Sequence, residues 1–209
     1  MNTPPITLTW FQDSTNRFGN LPITQAAVDL INKSETLKSN IRAYATSAST
    51  SNAAIFAKPD GAEYGLPQNG TRGQLRIGLD LLSTPEKTFN TLAHELGHFK
   101  VEEPGAAITN ARANAVISGD KVAYEAACNL TEGYAKYNEV KTRLEVIETN
   151  QQNAAAQGRA LTNEEQKLED KWTGKGVYGQ FPEGKEYSIV KGIEDAAGMS
   201  LEPLTFQQV

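Results

Sequence analysis

The chain has 209 residues, 39% hydrophobic and 22% charged, with a formal net charge of −5 and a pI near 5.2. That is enough apolar content for the core of one domain, and the mild acidity gives no electrostatic reason to expect nucleic acid or an anionic membrane as partner. The single cysteine, Cys128, excludes an intramolecular disulfide. The first residues lack the basic start and apolar stretch of a signal peptide, and no apolar run approaches the ~20 residues of a membrane span. The expectation is a chain that is cytoplasmic as made, exported, if at all, without an N-terminal signal.

Residues 5–12 alternate apolar and polar and predict a strand. From Thr24 to about Tyr44 the apolar positions Ala27, Leu30, Ile31, Leu37 and Ile41 predict one helix. Ala53–Lys58 reads as a short strand before Pro59-Asp60-Gly61, and Gly65–Arg72 as a loop. Gln74–Asp80 alternates and predicts a half-buried strand at a sheet edge. Ser83-Thr84-Pro85-Glu86 has the form of a capping box, with Ser83 as cap. The helix that it opens runs to about Phe99. Further helices are expected over 106–117 and 119–149. Gln151–Gly158 is low in complexity and reads as a connection. Thr162-Asn163-Glu164-Glu165 caps a helix to about Trp172, and the glycine-rich 173–192 predicts loops with a short strand at Tyr187–Val190.

The helix after Ser83 carries His94-Glu95-Leu96-Gly97-His98, and the chain has no other histidine. Histidines at i and i+4 stand on one helix face and can reach one ion. The glutamate beside the first can take a proton from a water that zinc has made acidic, and pass it to a leaving amine. Zinc also polarises the carbonyl under attack. The candidate ligands are therefore His94 and His98, with Glu95 as general base.

A hydrolytic zinc site needs a third protein ligand. Since histidine is used up and Cys128 is an unusual choice, a carboxylate is required. Glu102, Glu103, Asp120, Glu125, Glu132 and Glu139 all follow the motif. Glu102 and Glu103 are too near to fold back easily. Glu125, Glu132 and Glu139 are spaced by seven and share one helix face, so helical phase does not choose among them.

Leu130-Thr131-Glu132-Gly133-Tyr134-Ala135-Lys136-Tyr137-Asn138-Glu139 resembles the second zinc-binding helix of gluzincin metallopeptidases. The resemblance spans about 45 residues, from Thr91 to Glu139. It implies His94, His98 and Glu132 as ligands, Glu95 as base, zinc as cofactor and a peptide or protein as substrate. Gly133, Ala135 and Gly97 are small enough to let the two helices approach closely. Two features differ from the aminopeptidase-like branch. The gap from His98 to Glu132 is longer, and a Gly-x-Met-Glu-Asn segment that recognises a free N-terminus is absent, which favours endopeptidase action. In size the chain also resembles compact zincin toxins and effectors of bacteria.

The expected fold is α+β and zincin-like: a small twisted sheet, the motif helix and a second zinc-binding helix. It forms one domain over 1–209, with a catalytic core at 52–149 and a C-terminal subdomain or loops at 150–209. The cleft would follow the edge strand. An oxyanion donor is sought among Tyr124, Tyr134, Tyr137, Tyr178 and Tyr187. Asp80 is a candidate to orient a ligating histidine or to cap a turn. Cys128 reads as a small buried residue, and Trp10 and Trp172 as core. An amidase or cell-wall peptide hydrolase, and a non-catalytic module stabilised by zinc, remain as alternatives.

Overall fold

The computed structural model describes residues 3–19, 21–56, 58, 61–65, 72–102 and 107–172. Among these the fold is α+β, with seven α-helices and a three-stranded mixed sheet. The helices are α1 (Leu8–Gln12), α2 (Gln25–Asn32), α3 (Glu35–Thr46), α4 (Pro85–Val101), α5 (Ala107–Ser118), α6 (Lys121–Ala156) and α7 (Asn163–Trp172). The strands are β1 (Ala54–Phe56), β2 (Ala62–Gly65) and β3 (Gln74–Gly78), in the order β1-β3-β2. No described helix is long and apolar enough to cross a membrane.

Several elements differ from the sequence reading. The strand expected at 5–12 is largely the helix α1, because the Thr7 side chain accepts from the Trp10 N–H and caps a turn there. The helix expected over 24–44 is two helices. The backbone breaks at Lys33-Ser34, and Ser34 caps α3 by accepting from the Leu37 N–H. β3 is central rather than an edge. It pairs in parallel with β1 and antiparallel with β2, a strand that the sequence reading did not foresee. The cap of α4 is Thr84, accepting from the Lys87 N–H, while the Ser83 hydroxyl donates to the Asp80 carbonyl. α6 runs on through 151–156, where a connection was expected. The capping box at Thr162 and Glu165 is present: each backbone N–H donates to the other's side chain. Residues 173–192 lie outside the described residues.

The core sits between the sheet and α4. Leu92, Leu96 and Phe99 of α4 are fully buried with Leu75 and Ile77 of β3 and Leu37, Ile41 and Tyr44 of α3. Each such side chain contributes about 1.5–3 kcal/mol by leaving water. Aromatic contacts extend this core outward. Tyr64 of β2 meets Tyr44 and Phe99 edge-on, with centroids 6.4 and 5.7 Å away. Gly73 makes room for it, since a Cβ there would lie 2.1 Å from the Tyr64 hydroxyl. β2 is thereby pinned against α4. At the far side Trp172 of α7 stacks on Phe89 of α4, with centroids 5.5 Å apart.

α4 and α6 share the contact that positions the site. Gly97 faces Ala135, so the two helix backbones touch. One turn earlier on α4, the Ala93 carbonyl accepts from the Asn138 amide of α6, and the Asn138 side-chain oxygen accepts from Asn40 of α3 at 2.9 Å. Both side chains of this Asn40–Asn138 bond are buried, so a slide of α6 along α4 would leave buried polar groups without partners.

Candidate metal centre

The face of α4 opposite its core stripe carries His94 and His98. Their rings lie 5.0 Å apart between centroids and nearly perpendicular, at 79°. Both are mostly covered, with side-chain exposures of 28% and 11%. Burial lowers the pKa of His98 to about 4, against the pull of Glu132. An imidazole that stays neutral keeps a lone pair for a metal. His94 moves the other way. Burial opposes its charging, but Glu139, Glu95 and Glu132 outweigh it and raise its pKa.

Glu132 comes to this face from α6. One carboxylate oxygen lies 3.6 Å from His94 Nε2 and the other 3.6 Å from His98 Nε2. A ligand atom from each of the three residues falls within 4.8 Å of the others. Two imidazole nitrogens and one carboxylate oxygen are the donor set of a three-ligand hydrolytic zinc site, so the residues fit that ion. The Glu132 side chain is 66% exposed, which leaves the group open to solvent on that side.

Glu139, seven residues along α6, is not at the open face. It is buried behind His94, with a carboxylate oxygen 3.6 Å from Nδ1. Lys136 Nζ lies 3.0 Å from the same oxygen, and Arg143 pairs with the other. Burial alone would raise this carboxyl, yet His94, Arg143 and Lys136 bring its pKa down to about 2. An ionised carboxylate at Nδ1 favours a proton on that nitrogen, the tautomer that would present Nε2 to a metal. Asp80, the sequence candidate for such a role, is exposed at the turn before α4.

Glu95 shares the cavity with Glu132 and reaches β2. It is only 6% exposed and accepts a hydrogen bond from the Tyr64 backbone N–H. Burial raises its pKa to about 7, opposed by His94. A carboxylate with that affinity can take and return a proton near neutrality. The strand beside the site is thus β2, not β3 as the sequence reading had it.

These residues surround a cavity of about 360 Å³ lined by Ala62, Glu63 and Tyr64 of β2, His94, Glu95 and His98 of α4, and Cys128, Thr131 and Glu132 of α6. Glu102 and Arg112 complete it. Glu102, which caps α4, is 4% exposed and accepts from Arg112 Nη1 at 3.0 Å. Burial raises the Glu102 carboxyl, and Arg112 pulls it back down. Arg112 is the one cation among the described lining residues, and its Nη2 is buried without a hydrogen-bond partner among them.

Among the other sequence candidates, Glu125 is exposed and lies 3.5 Å from Lys121, and Asp120 caps α6. Glu103, Tyr178 and Tyr187 lie outside the described residues. Tyr134 and Tyr137 belong to a small apolar cluster with Val101 and Ile108, and Tyr124 is exposed away from the cavity wall. Cys128 is half-buried in the cavity wall rather than in a core. Trp172 is buried in the core and Trp10 packs against it. Sequence reasoning missed Arg112, whose signal was weak: a lone cation in a helix of small residues, ten positions after Glu102. It also missed the role of Glu139, although the one-heptad step from Glu132 pointed to the same helix face.

No known protein family, characterised protein or solved structure matches the chain.

Proposed function

We propose that this chain is a zinc-dependent metallopeptidase of the gluzincin kind, acting as an endopeptidase. The observation that carries the proposal is the meeting of His94, His98 and Glu132 within 4.8 Å beside the buried carboxylate of Glu95. Zinc held by these three residues would polarise a substrate carbonyl and make water acidic enough to attack near neutrality.

The protein supplies the remaining parts. Glu95 would take a proton from the attacking water and return it to the departing amine, a double use that its buried place beside His94 and His98 supports. Its bond to the Tyr64 N–H fixes its carboxylate next to the strand. Arg112, held by Glu102, donates towards the oxygen on which negative charge develops. Glu139 keeps the His94 ring in one orientation. Among the described residues β2 pairs only with β3, and an extended substrate backbone would lie along its other side. A cavity that opens past the exposed Glu132 accepts a continuing chain, which suits internal cleavage.

Zinc content and turnover test the reading together. Purified protein is expected to hold one zinc per chain and to degrade an unfolded protein such as reduced casein into peptides with internal cuts. Glu95→Gln is expected to keep the zinc and lose about 10²–10⁴ in rate. Zinc bound without any cleavage of unfolded proteins would leave a binding module in place of the enzyme.

A further inference from the structure

Behind His94, α4 and α6 are joined by a closed ring of side chains. Asn90 and His94 stand one turn apart on α4, and Glu139 and Arg143 one turn apart on α6. Glu139 faces His94 Nδ1 at 3.6 Å. Arg143 pairs through Nη2 with the other oxygen of Glu139, and its Nε donates to Asn90 Oδ1 at 2.9 Å. The Arg143 side chain is only 10% exposed. Its guanidinium carbon lies 5.8 Å from the centroid of Trp172, which itself stacks on Phe89 of α4.

We infer that Arg143 is a positioning residue for the metal centre: it clamps Glu139 against His94 and ties the geometry of the site to α7. The inference rests on the metal reading of His94, His98 and Glu132, but not on peptide cleavage. A rigid guanidinium is suited to this task. It presents Nη2 to the carboxylate and Nε to Asn90 in one plane, with a ring against its face. Lys136, the other cation on Glu139, is 45% exposed on a flexible stem and cannot set the direction of the carboxylate in this way. With Arg143 gone, Glu139 loses its fixed aim, so His94 loses a defined ring orientation. Carboxylates that orient ligating histidines contribute about 10–100-fold to metal affinity. Arg143 acts one step further out and is expected to account for about tenfold.

The test measures zinc affinity by chelator competition on the full chain, and the visible spectrum of the cobalt(II)-substituted protein. Far-UV circular dichroism of the metal-free protein checks the fold. Arg143→Met is expected to bind zinc about tenfold more weakly and to shift the cobalt bands, with Arg143→Lys between it and the parent. Trp172→Phe keeps the stack on Phe89 and is expected to shift the cobalt bands less than Arg143→Met does. Unchanged affinity and spectrum in a folded Arg143→Met would reduce Arg143 to a fastener between helices and overturn the inference. If that variant does not fold, Asn90→Ala carries the test. It leaves the ion pair and removes the Nε anchor, so weaker zinc and altered bands support the inference, and parent-like values sink it. A parent protein that binds no zinc would fail the metal reading and this inference with it. Zinc-tight parent and variants alike would fail the inference alone.

Discussion

The Cβ that Gly97 lacks would lie 2.6 Å from the Cα of Ala135. The middle of the histidine motif is therefore the point where α4 and α6 touch, and Glu132 reaches His94 and His98 because of it. Gly97→Ala sets two effects against each other. Alanine favours the helix by about 1 kcal/mol. A methyl group 2.6 Å from a backbone atom has no flexible neighbour to displace, so the helices must part. The second effect wins. A net destabilisation of about 1–3 kcal/mol is expected in urea unfolding, together with weaker zinc binding. Parent-like stability and affinity would show that the contact is looser than described.

Metal binding should register as stability. A ligand that binds only the folded state adds about 2.7 kcal/mol at a hundredfold excess over Kd. Zinc is expected to raise the thermal midpoint, and a chelator to return it to the metal-free value. Glu132→Ala and His98→Ala should remove the zinc-dependent rise, and Glu132→Ala should leave the metal-free midpoint little changed, since Glu132 is exposed. A full zinc-dependent rise in Glu132→Ala would move the third ligand elsewhere.

Arg112 separates binding from chemistry. Arg112→Met leaves His94, His98 and Glu132 in place but takes away the cation of the cavity wall, the proposed donor to the developing oxyanion. The expected result is unaltered zinc affinity, little change in KM, and kcat lower by about 10²–10³. The variant also leaves Glu102 buried without its partner, so Glu102→Gln with Arg112→Met is the matched control. An effect confined to stability would assign Arg112 to the α4–α5 junction only.

Tyr44 sets an alkaline limit on the fold. It is fully buried, and its hydroxyl donates to the Ser51 carbonyl and accepts from the Leu75 N–H, both at 2.9 Å. Burial pushes its pKa up to about 12, with the Leu75 bond pulling down. The unfolded chain releases the same proton near 10. Below about pH 10 both states hold the proton and the contribution of Tyr44 is whole. From about 10 to about 12 the unfolded state loses it first, so stability falls through that window. Urea unfolding at stepped alkaline pH should show the fall, and tyrosinate absorbance should show a late-titrating tyrosine that Tyr44→Phe removes. Tyr44→Phe should be less stable at neutral pH by about 1 kcal/mol and should lose less between pH 10 and 12.

The parts of the site that the sequence made legible are those with long periodic signals. α4 and α6 are long, their small residues mark a close approach, and the scarcity of histidine makes the motif stand out. The capped start of α7 was readable for the same reason: Thr162 and Glu165 satisfy each other locally. Short elements were not readable. Ile6, Leu8 and Trp10 fit an alternating strand, but one Thr7 cap suffices to turn them into α1. β2 is four residues without a β-branched side chain, and only the packing of Tyr64 under Gly73 makes it a strand. Without β2 in view, β3 looked like the edge. Arg112 bonds Glu102 and Arg143 bonds Asn90, each across to α4 at 10 and 53 residues' separation, and no local pattern reports either contact.

α6 is one unbroken helix of 36 residues. Glu132 at the open face, Asn138 against Ala93, Glu139 behind His94, Arg143 on Asn90 and Asn150 on Lys33 all take their direction from that single register. One inserted or deleted residue between Glu132 and Glu139 would rotate everything beyond it by about 100°. Substitutions on the outer face can accumulate, but a change of length within this stretch cannot be absorbed locally. In related chains, length variation is therefore expected before Lys121 or after Ala156, and the spacing from Glu132 to Arg143 is expected to stay constant.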